Sequence, residues 1–342
     1  MTAGPARVLD ALRRAEGRTC SGESLSARYG VSRTQVWKDV EALRARGYRI
    51  DAAPGGGYRL EGIPDRLYAD EILTGLDTRW LARDIRFFES TESTNLIALD
   101  LARSGAAHGT TVVAEGQTAG RGRLGRSFFS PPHRNLYTSI VLRPELTTAE
   151  APAWILAAAV AVADTIAAVV GDSEAVEIKW PNDVLLGGLK TSGILMELGA
   201  EATRVSFLVL GIGVNLNVDR AEFPDEFRSL ATSVASHTGR PVDRIGFARQ
   251  LYGNLERDLD ACATGGFDAI RPRFEARFRM RGRRIRVEEG AAERRSHERT
   301  GGGDFAAIAV GIDGDGALRV RRDDGQEVRV IAGDVTLAKG NP

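Results

Sequence analysis

Residues 120–126 read Gly-Arg-Gly-Arg-Leu-Gly-Arg, and residues 179–183 read Lys-Trp-Pro-Asn-Asp. Three glycines in the first segment let the backbone bend tightly and come close to a ligand. Arg121, Arg123 and Arg126 add forked, permanently charged donors that suit carboxylate and phosphate oxygens. The chemistry on offer is anion capture by a self-repelling, mobile loop that orders once an anion neutralises it. Taken alone, the segment fits an exposed basic loop or a nucleic-acid patch equally well.

Three other patterns fail. Lys190-Thr191 resembles the end of a phosphate-binding P-loop, but Leu189 and Val184 stand where that loop needs glycines. Gly211-Ile212-Gly213 lacks the third glycine of a dinucleotide fingerprint, where Leu216 stands. His108, His133, His237 and His297 show no metal-ligand spacing. A kinase, a Rossmann dehydrogenase and a zinc hydrolase are thereby disfavoured.

The elements that must carry these residues fall into three textures. Near the N-terminus, Val8, Leu9 and Leu12 share one face of a helix over 6–16, and a second short helix fits Ser24–Tyr29. Gly30 turns the chain into a third helix, from its N-cap Ser32 to about Arg46, closed by Gly47. Val36, Val40 and Leu43 recur at helical spacing and face inward, leaving Arg33, Thr34, Gln35 and Lys38 outside. Tyr48–Ile50 and Tyr58–Leu60, joined by a turn at Pro54-Gly55-Gly56-Gly57, read as a hairpin. This is the layout of a winged helix-turn-helix over 1–62, with Ser32, Arg33, Thr34, Gln35 and Lys38 placed for DNA. A helical protein-interaction module is the alternative.

After a linker at 63–84, the region 85–280 reads as mixed α/β. Strands are expected at Ile85–Phe88, Thr110–Ala114, Asn135–Arg143, Val176–Lys179 and, central and buried, Val205–Val214. Helices are expected from a Ser93-Thr94-Asn95 cap to Arg103, and at Ala151–Val170, Phe247–Ala263 and Phe267–Phe278. A hairpin runs from Leu185 through Gly187-Gly188 to Gly193–Leu198. Beyond Gly282, Arg284–Val287, Phe305–Ile312, Ala317–Arg321 and Glu327–Ile331 alternate as the short strands of a small β-barrel, 281–342, with a flexible insertion at 289–303.

The chain has 342 residues, 43% hydrophobic and 27% charged, with formal net charge zero, so no global field draws it to nucleic acid or membrane. Residues 1–62 are the local exception, with eleven Lys/Arg against seven Asp/Glu. Cys20 and Cys262 form neither a metal-ligand pattern nor a disulfide framework, and the N-terminus lacks the apolar core of a signal peptide. Ala151–Val170 is the most apolar window, yet its alanines, Pro152 and Asp164 suit a buried helix better than a membrane span. A cytoplasmic protein with no membrane partner is expected.

Taken in order, Ser93-Thr94-Asn95, Gln117, the loop 120–126, Asn135-Leu136-Tyr137, Lys179–Asp183, Lys190–Gly193 and Gly211–Asn215 closely resemble biotin–protein ligases. The DNA-binding module in front makes the match specifically like the bifunctional biotin operon repressors. The resemblance covers nearly the whole chain and implies a central ligase domain with an SH3-like C-terminal barrel. It implies that biotin's carboxylate attacks the α-phosphate of Mg-ATP to give biotinyl-5′-adenylate. A lysine of a biotin carboxyl carrier domain then takes the biotinyl group.

By resemblance, Ser93, Thr94, Asn95 and Gln117 surround the ureido end of biotin, while Arg121, Gly122 and Arg123 close over carboxylate and phosphate. Lys190 and Arg123 are the catalytic cations. Arg126, Asn182, Asp183, Gly211, Gly213 and Asn215 lie along the nucleotide, with Asp183 beside Mg²⁺. A homodimer formed with the adenylate and bound to a palindromic operator is also implied. Two departures stand out. Leu124 occupies a loop position often held by another arginine, and 223–234 has no tryptophan to cover the adenine, leaving Phe223 or Phe227 for that place. A biotin-sensing transcription factor without catalysis and a lipoate ligase remain the alternatives.

Overall fold

The computed structural model describes residues 3–53, 57–288, 304–331 and 333–337. The chain forms two compact units, Met1–Arg66 and Leu67–Pro342.

In the first unit, helices α1 (Ala3–Arg14), α2 (Gly22–Tyr29) and α3 (Arg33–Ala45) precede a hairpin of β2 (Arg49–Ala53) and β3 (Gly57–Gly62). The two-residue strand β1 (Cys20–Ser21), not foreseen, pairs antiparallel with β3. Ser21 and Ser32 cap α2 and α3 by accepting backbone N–H bonds with their hydroxyls. Val8, Leu9, Leu12, Val36, Val40 and Leu43 are buried in one core, as their spacing requires. Residues 54–56 of the expected turn lie outside the described residues.

The second unit begins with α4 (Ala69–Leu73), β4 (Ile85–Phe88), α5 (Thr94–Arg103), β5 (Thr111–Ala114), β6 (Leu136–Leu142) and α6 (Ala151–Val170). Next come β7 (Val176–Lys179), β8 (Asp183–Leu186), β9 (Leu189–Glu201) and β10 (Arg204–Val214). These seven strands form one sheet in the order β4-β5-β6-β10-β9-β8-β7, so β10 is central as its apolar run predicts. Only β4 and β5 run parallel. Side chains alternate across this sheet. Val112, Val141 and Val209 meet Ala98, Leu99 and Ala102 of α5 on one face. Ile140, Leu142, Leu208 and Leu210 join α6 in the large core on the other. The 20-residue α6 is apolar on nearly every side because fifteen of its residues are buried, and its one charge, Asp164, pairs with Arg273 and Arg277.

Short helices α7 (Asp225–Arg228) and α8 (Val234–Thr238) lead to the long α9 (Arg244–Gly265), which packs along α6, and to α10 (Arg271–Arg277). The sheet that ends the chain contains β11 (Arg284–Glu288), β12 (Phe305–Ile312), β13 (Leu318–Arg322), β14 (Glu327–Val330) and β15 (Asp334–Leu337), ordered β14-β13-β12-β11-β15.

Several expectations need correction. Residues 63–84 are not simply a linker: Leu67, Ile72, Leu76, Leu81 and Ala82 are buried in the second unit's core. Residues 85–280 and 281–342 pack into one compact unit, since Ile285, Val287, Leu318 and Val320 belong to that same core. The helix expected over Phe267–Phe278 breaks into a short turn at Phe267–Ala269 and α10, where Pro272 restarts the helix near its N-terminus. The C-terminal strands include an unforeseen fifth, β15. Among the described residues no pairing joins its two edge strands, so they make an open five-stranded sheet and no closed barrel is seen. The insertion 289–303 lies outside the described residues. Both cysteines are free.

Candidate functional site

Strands β8, β9 and β10, the start of α5 and the loop 120–126 converge on a cavity of about 660 Å³. Ser93, Thr94, Asn95, Gln117, Arg121, Gly122, Arg123, Arg126, Asn182, Asp183, Lys190, Gly211 and Gly213 all line it. These residues come from six separate stretches of sequence, and the fold gathers them on one side of the sheet. Asn215 is the exception. It lies behind the wall, where its Nδ2 donates to Thr232 O at 3.2 Å and its Oδ1 accepts from Asn135 at 3.3 Å. It fixes the strand end and does not line the cavity.

At one end the polar groups are already wired together. Ser93 occupies the N-cap position of α5 without a side-chain cap bond, so the expected capping role does not hold. Instead the Thr94 N–H donates to Gln117 Oε1 at 2.9 Å, the Thr94 hydroxyl reaches the same oxygen at 3.1 Å, and Gln117 Nε2 donates to Ser130 at 2.9 Å. Asn95 Oδ1 accepts from the Ser139 hydroxyl at 2.7 Å, and its Nδ2 donates to Glu197 at 2.9 Å. Gly211 is glycine for a steric reason: a Cβ there would lie 1.9 Å from Asn95 Oδ1. At Gly213 a Cβ would meet the Phe128 ring at 2.6 Å.

The other end is cationic. Lys190 Nζ lies 2.7 Å from Asp183 Oδ1, and Lys179 Nζ lies 3.5 Å from Oδ2. Burial pushes the Asp183 carboxyl up, but the two ammonium groups outweigh it and hold the group below its ordinary value. Asp183 therefore remains an anion that fixes Lys190 at the cavity wall. Asn182 donates to Ile194 O at 2.9 Å and accepts from Arg123 at 3.1 Å. Trp180, between Lys179 and these residues, is buried and donates its indole N–H to Gly316 O at 3.0 Å, which anchors the run on the C-terminal sheet.

Within the loop 120–126, residues Arg123–Gly125 make a tight turn in which Leu124 and Gly125 take positive φ, 55° and 75°. Arg123 donates to Gly333 O at 2.7 Å, while Arg126 pairs with Asp334 and lies 3.6 Å from Glu288. Acidic and carbonyl oxygens of the C-terminal sheet thus offset the mutual repulsion of the arginines. Local sequence showed the cations and not these partners, which lie more than 150 positions away.

Of the two candidate adenine covers, Phe223 is 2% exposed in a small core of its own, whereas Phe227 lines the cavity. Sequence reasoning missed Glu197, Phe128, Ser130 and Ser139. For Glu197 and Ser139 the signal was strand alternation and the register that sets Gly211 opposite Leu195 and Ser139, whereas Phe128 and Ser130 lie in no strand. It also missed the buried pair of Glu115 and Arg244, 2.8 Å apart, which braces β5 against the start of α9.

In the first unit, Ser32, Arg33, Thr34, Gln35 and Lys38 lie on one exposed side of α3, as expected. Ser32 is committed to the helix cap, and Gln35 Nε2 donates to Asp39 at 3.0 Å. Trp37, 51% exposed, joins this surface.

Three family models match in order: an HTH domain over 6–59, the biotin/lipoate A/B protein ligase family over 87–215, and the biotin protein ligase C terminal domain over 298–337. The bifunctional ligase/repressor BirA of Bacillus spizizenii is 37% identical over 93% of both chains. That of Escherichia coli is 31% identical over 90% of both. A biotin protein ligase from Aquifex aeolicus, solved with biotin and ATP, shares the fold at a TM-score of 0.62, with 24% identity over 75% of this chain and 100% of that one. With such identity sustained over nine-tenths of the sequence and the three models in the same order, the chain belongs to the biotin–protein ligase family.

Proposed function

We propose that the protein activates biotin with ATP, transfers it to a lysine of a biotin carboxyl carrier domain, and represses transcription in response to biotin. The observation that carries this reading is a single cavity with a hydrogen-bonding end, lined by Ser93, Thr94, Asn95 and Gln117, and a cationic end. A ureido ring suits the first, and a carboxylate meeting a triphosphate suits the second.

In the first step a carboxylate oxygen of biotin attacks the α-phosphorus of ATP, and the bond to pyrophosphate breaks. Two anions must approach one another, so fixed cations lower the barrier most where charge gathers. Lys190, held in place by Asp183, and Arg123 supply them, and Arg121 with Gly122 closes over the carboxylate. Arg126, Asn182 and Gly213 flank the nucleotide, Gly211 packs against Asn95 at the biotin end, and Phe227 covers the adenine. In the second step the carrier lysine's amine attacks the acyl carbon. The anhydride C–O bond breaks, AMP leaves, and the amine gives up one proton. A closed loop keeps water from the adenylate in between.

Among the described residues no cluster of three His, Cys, Asp or Glu could hold a metal by itself. Magnesium would enter with the nucleotide's phosphates, and Asp183, which lines the cavity, would be the residue to hold it. Such an ion would add positive charge at the phosphates.

Arg33, Thr34, Gln35 and Lys38 read the operator, and the adenylate-bound protein pairs to match a palindrome. The protein then works in the cytoplasm, where ATP, carboxylases and DNA meet. The test mixes the purified protein with biotin, Mg-ATP and a carrier domain, and looks for a biotin-sized mass gain on the carrier. No gain overturns the ligase reading, and a gain with lipoate alone reassigns the substrate. Gel filtration with and without biotin plus ATP tests the pairing, which an unchanged mass would overturn.

A further inference from the structure

Glu197 lies on β9, outside every sequence motif, and its side chain is 26% exposed. One of its oxygens accepts from Asn95 Nδ2 at 2.9 Å, and the other lies 3.5 Å from Arg121 Nη1 of the loop. A carboxylate can only accept hydrogen bonds, whereas an amide can present either edge. Glu197 therefore turns the NH₂ of Asn95 toward itself and the Asn95 carbonyl toward Ser139. The single proton of the Ser139 hydroxyl is committed to Asn95 Oδ1 at 2.7 Å. Ser139 Oγ, 2.9 Å from Thr94 Oγ1, has no second proton to give, and the Thr94 proton is free to point at Gln117 Oε1, 3.1 Å away. Leu195 O, 3.5 Å from the same Nδ2, is a second and weaker acceptor, so the charge of Glu197 reinforces a direction that the backbone also favours.

We infer that Glu197 is a positioning residue of the biotin end of the cavity, acting through the orientation of Asn95 and thence of Ser139. The inference rests on the biotin-ligase reading. The same carboxylate reaches Arg121, so the orientation of this end and the position of the loop share one anchor.

The test measures biotin binding to the full chain by calorimetry, which needs no catalysis. Glu197→Gln keeps the size and shape of the residue but presents both a donor and an acceptor, so the network loses the charge that fixes its direction most strongly. Biotin should bind about tenfold more weakly to E197Q, as expected for loss of a charge-assisted bond that orders the site. Binding of a non-hydrolysable ATP analogue in saturating biotin should weaken by a clearly smaller factor, through the Arg121 contact, and the thermal midpoint should fall only slightly. Glu197→Ala should lose at least as much biotin affinity. A structural role alone would spare E197Q. The inference is overturned if E197Q binds biotin within twofold of the parent, or if both ligands weaken in parallel. Failure of the parent itself to bind biotin would overturn the ligase reading beneath it.

Discussion

Gly211→Ala inserts a methyl group into the tightest contact of the cavity. Its Cβ would stand 1.9 Å from Asn95 Oδ1, 2.7 Å from Cγ and 3.1 Å from Nδ2. The whole amide must move, because all three of its outer atoms are too close. It cannot rotate freely, since Asn95 is 4% exposed and held by Ser139 and Glu197 on its two edges. Displacement breaks one neutral bond, worth about 0.5–1.5 kcal/mol, and one bond to a charged group, worth about 1.5–3 kcal/mol. A loss of roughly 2–4 kcal/mol is therefore shared between folding and ligand binding. If at least half falls on the pocket, biotin affinity drops at least about fivefold, and about 30-fold or more where 2 kcal/mol falls there. Calorimetric titration with biotin reads the first part and thermal unfolding the second. Removing the obstructed amide separates the causes. In an Asn95→Ala background the same glycine substitution should cost almost no stability, because the atoms it strikes are gone. Biotin binding by G211A within twofold of the parent, or an equal stability loss in both backgrounds, would refute the steric argument.

Lys190→Ala removes the ammonium nearest Asp183 and should slow adenylate formation at least about 10²–10³-fold while leaving the secondary structure intact. Undiminished pyrophosphate release would contradict that assignment. Arg123→Gly cuts the bonds to Asn182 and Gly333 O. The adenylate should escape before transfer, so lysines on a bystander protein become biotinylated, and labelling confined to the carrier would argue otherwise. Arg33→Ala changes an exposed cation of α3 in the separate first unit. It should weaken operator binding and reduce its salt dependence by roughly one unit of slope, with carrier labelling unchanged. A parallel fall in labelling would show that the two activities cannot be separated.

Local residue types carried much of this protein. Helical spacing of Val36, Val40 and Leu43 announced the inner face of α3, and 0% exposure of all three agrees. The ends of α6 and β7 fall where the apolar patterns begin and stop. The anion-binding segments were legible because glycine, arginine and lysine advertise their chemistry without help from neighbours. Phe267–Phe278 was misjudged because one apolar period spans two short helical pieces. Residues 63–84 were misjudged because a stretch can look like a connector and still bury its few large side chains.

Residue types alone supply the inventory: which groups are charged, which faces are apolar, where the backbone can turn, and so which chemistry is available. The tertiary structure alone decided which of those groups meet. It set Gly211 against Asn95, placed Glu197 within reach of both Asn95 and Arg121, put Phe227 in the cavity and Phe223 outside it, and withdrew Asn215 behind the wall. The reason is physical. Strand register and the docking of Asp334 beside Arg126 bring together residues far apart in the chain, and such contacts depend on packing that no local pattern encodes.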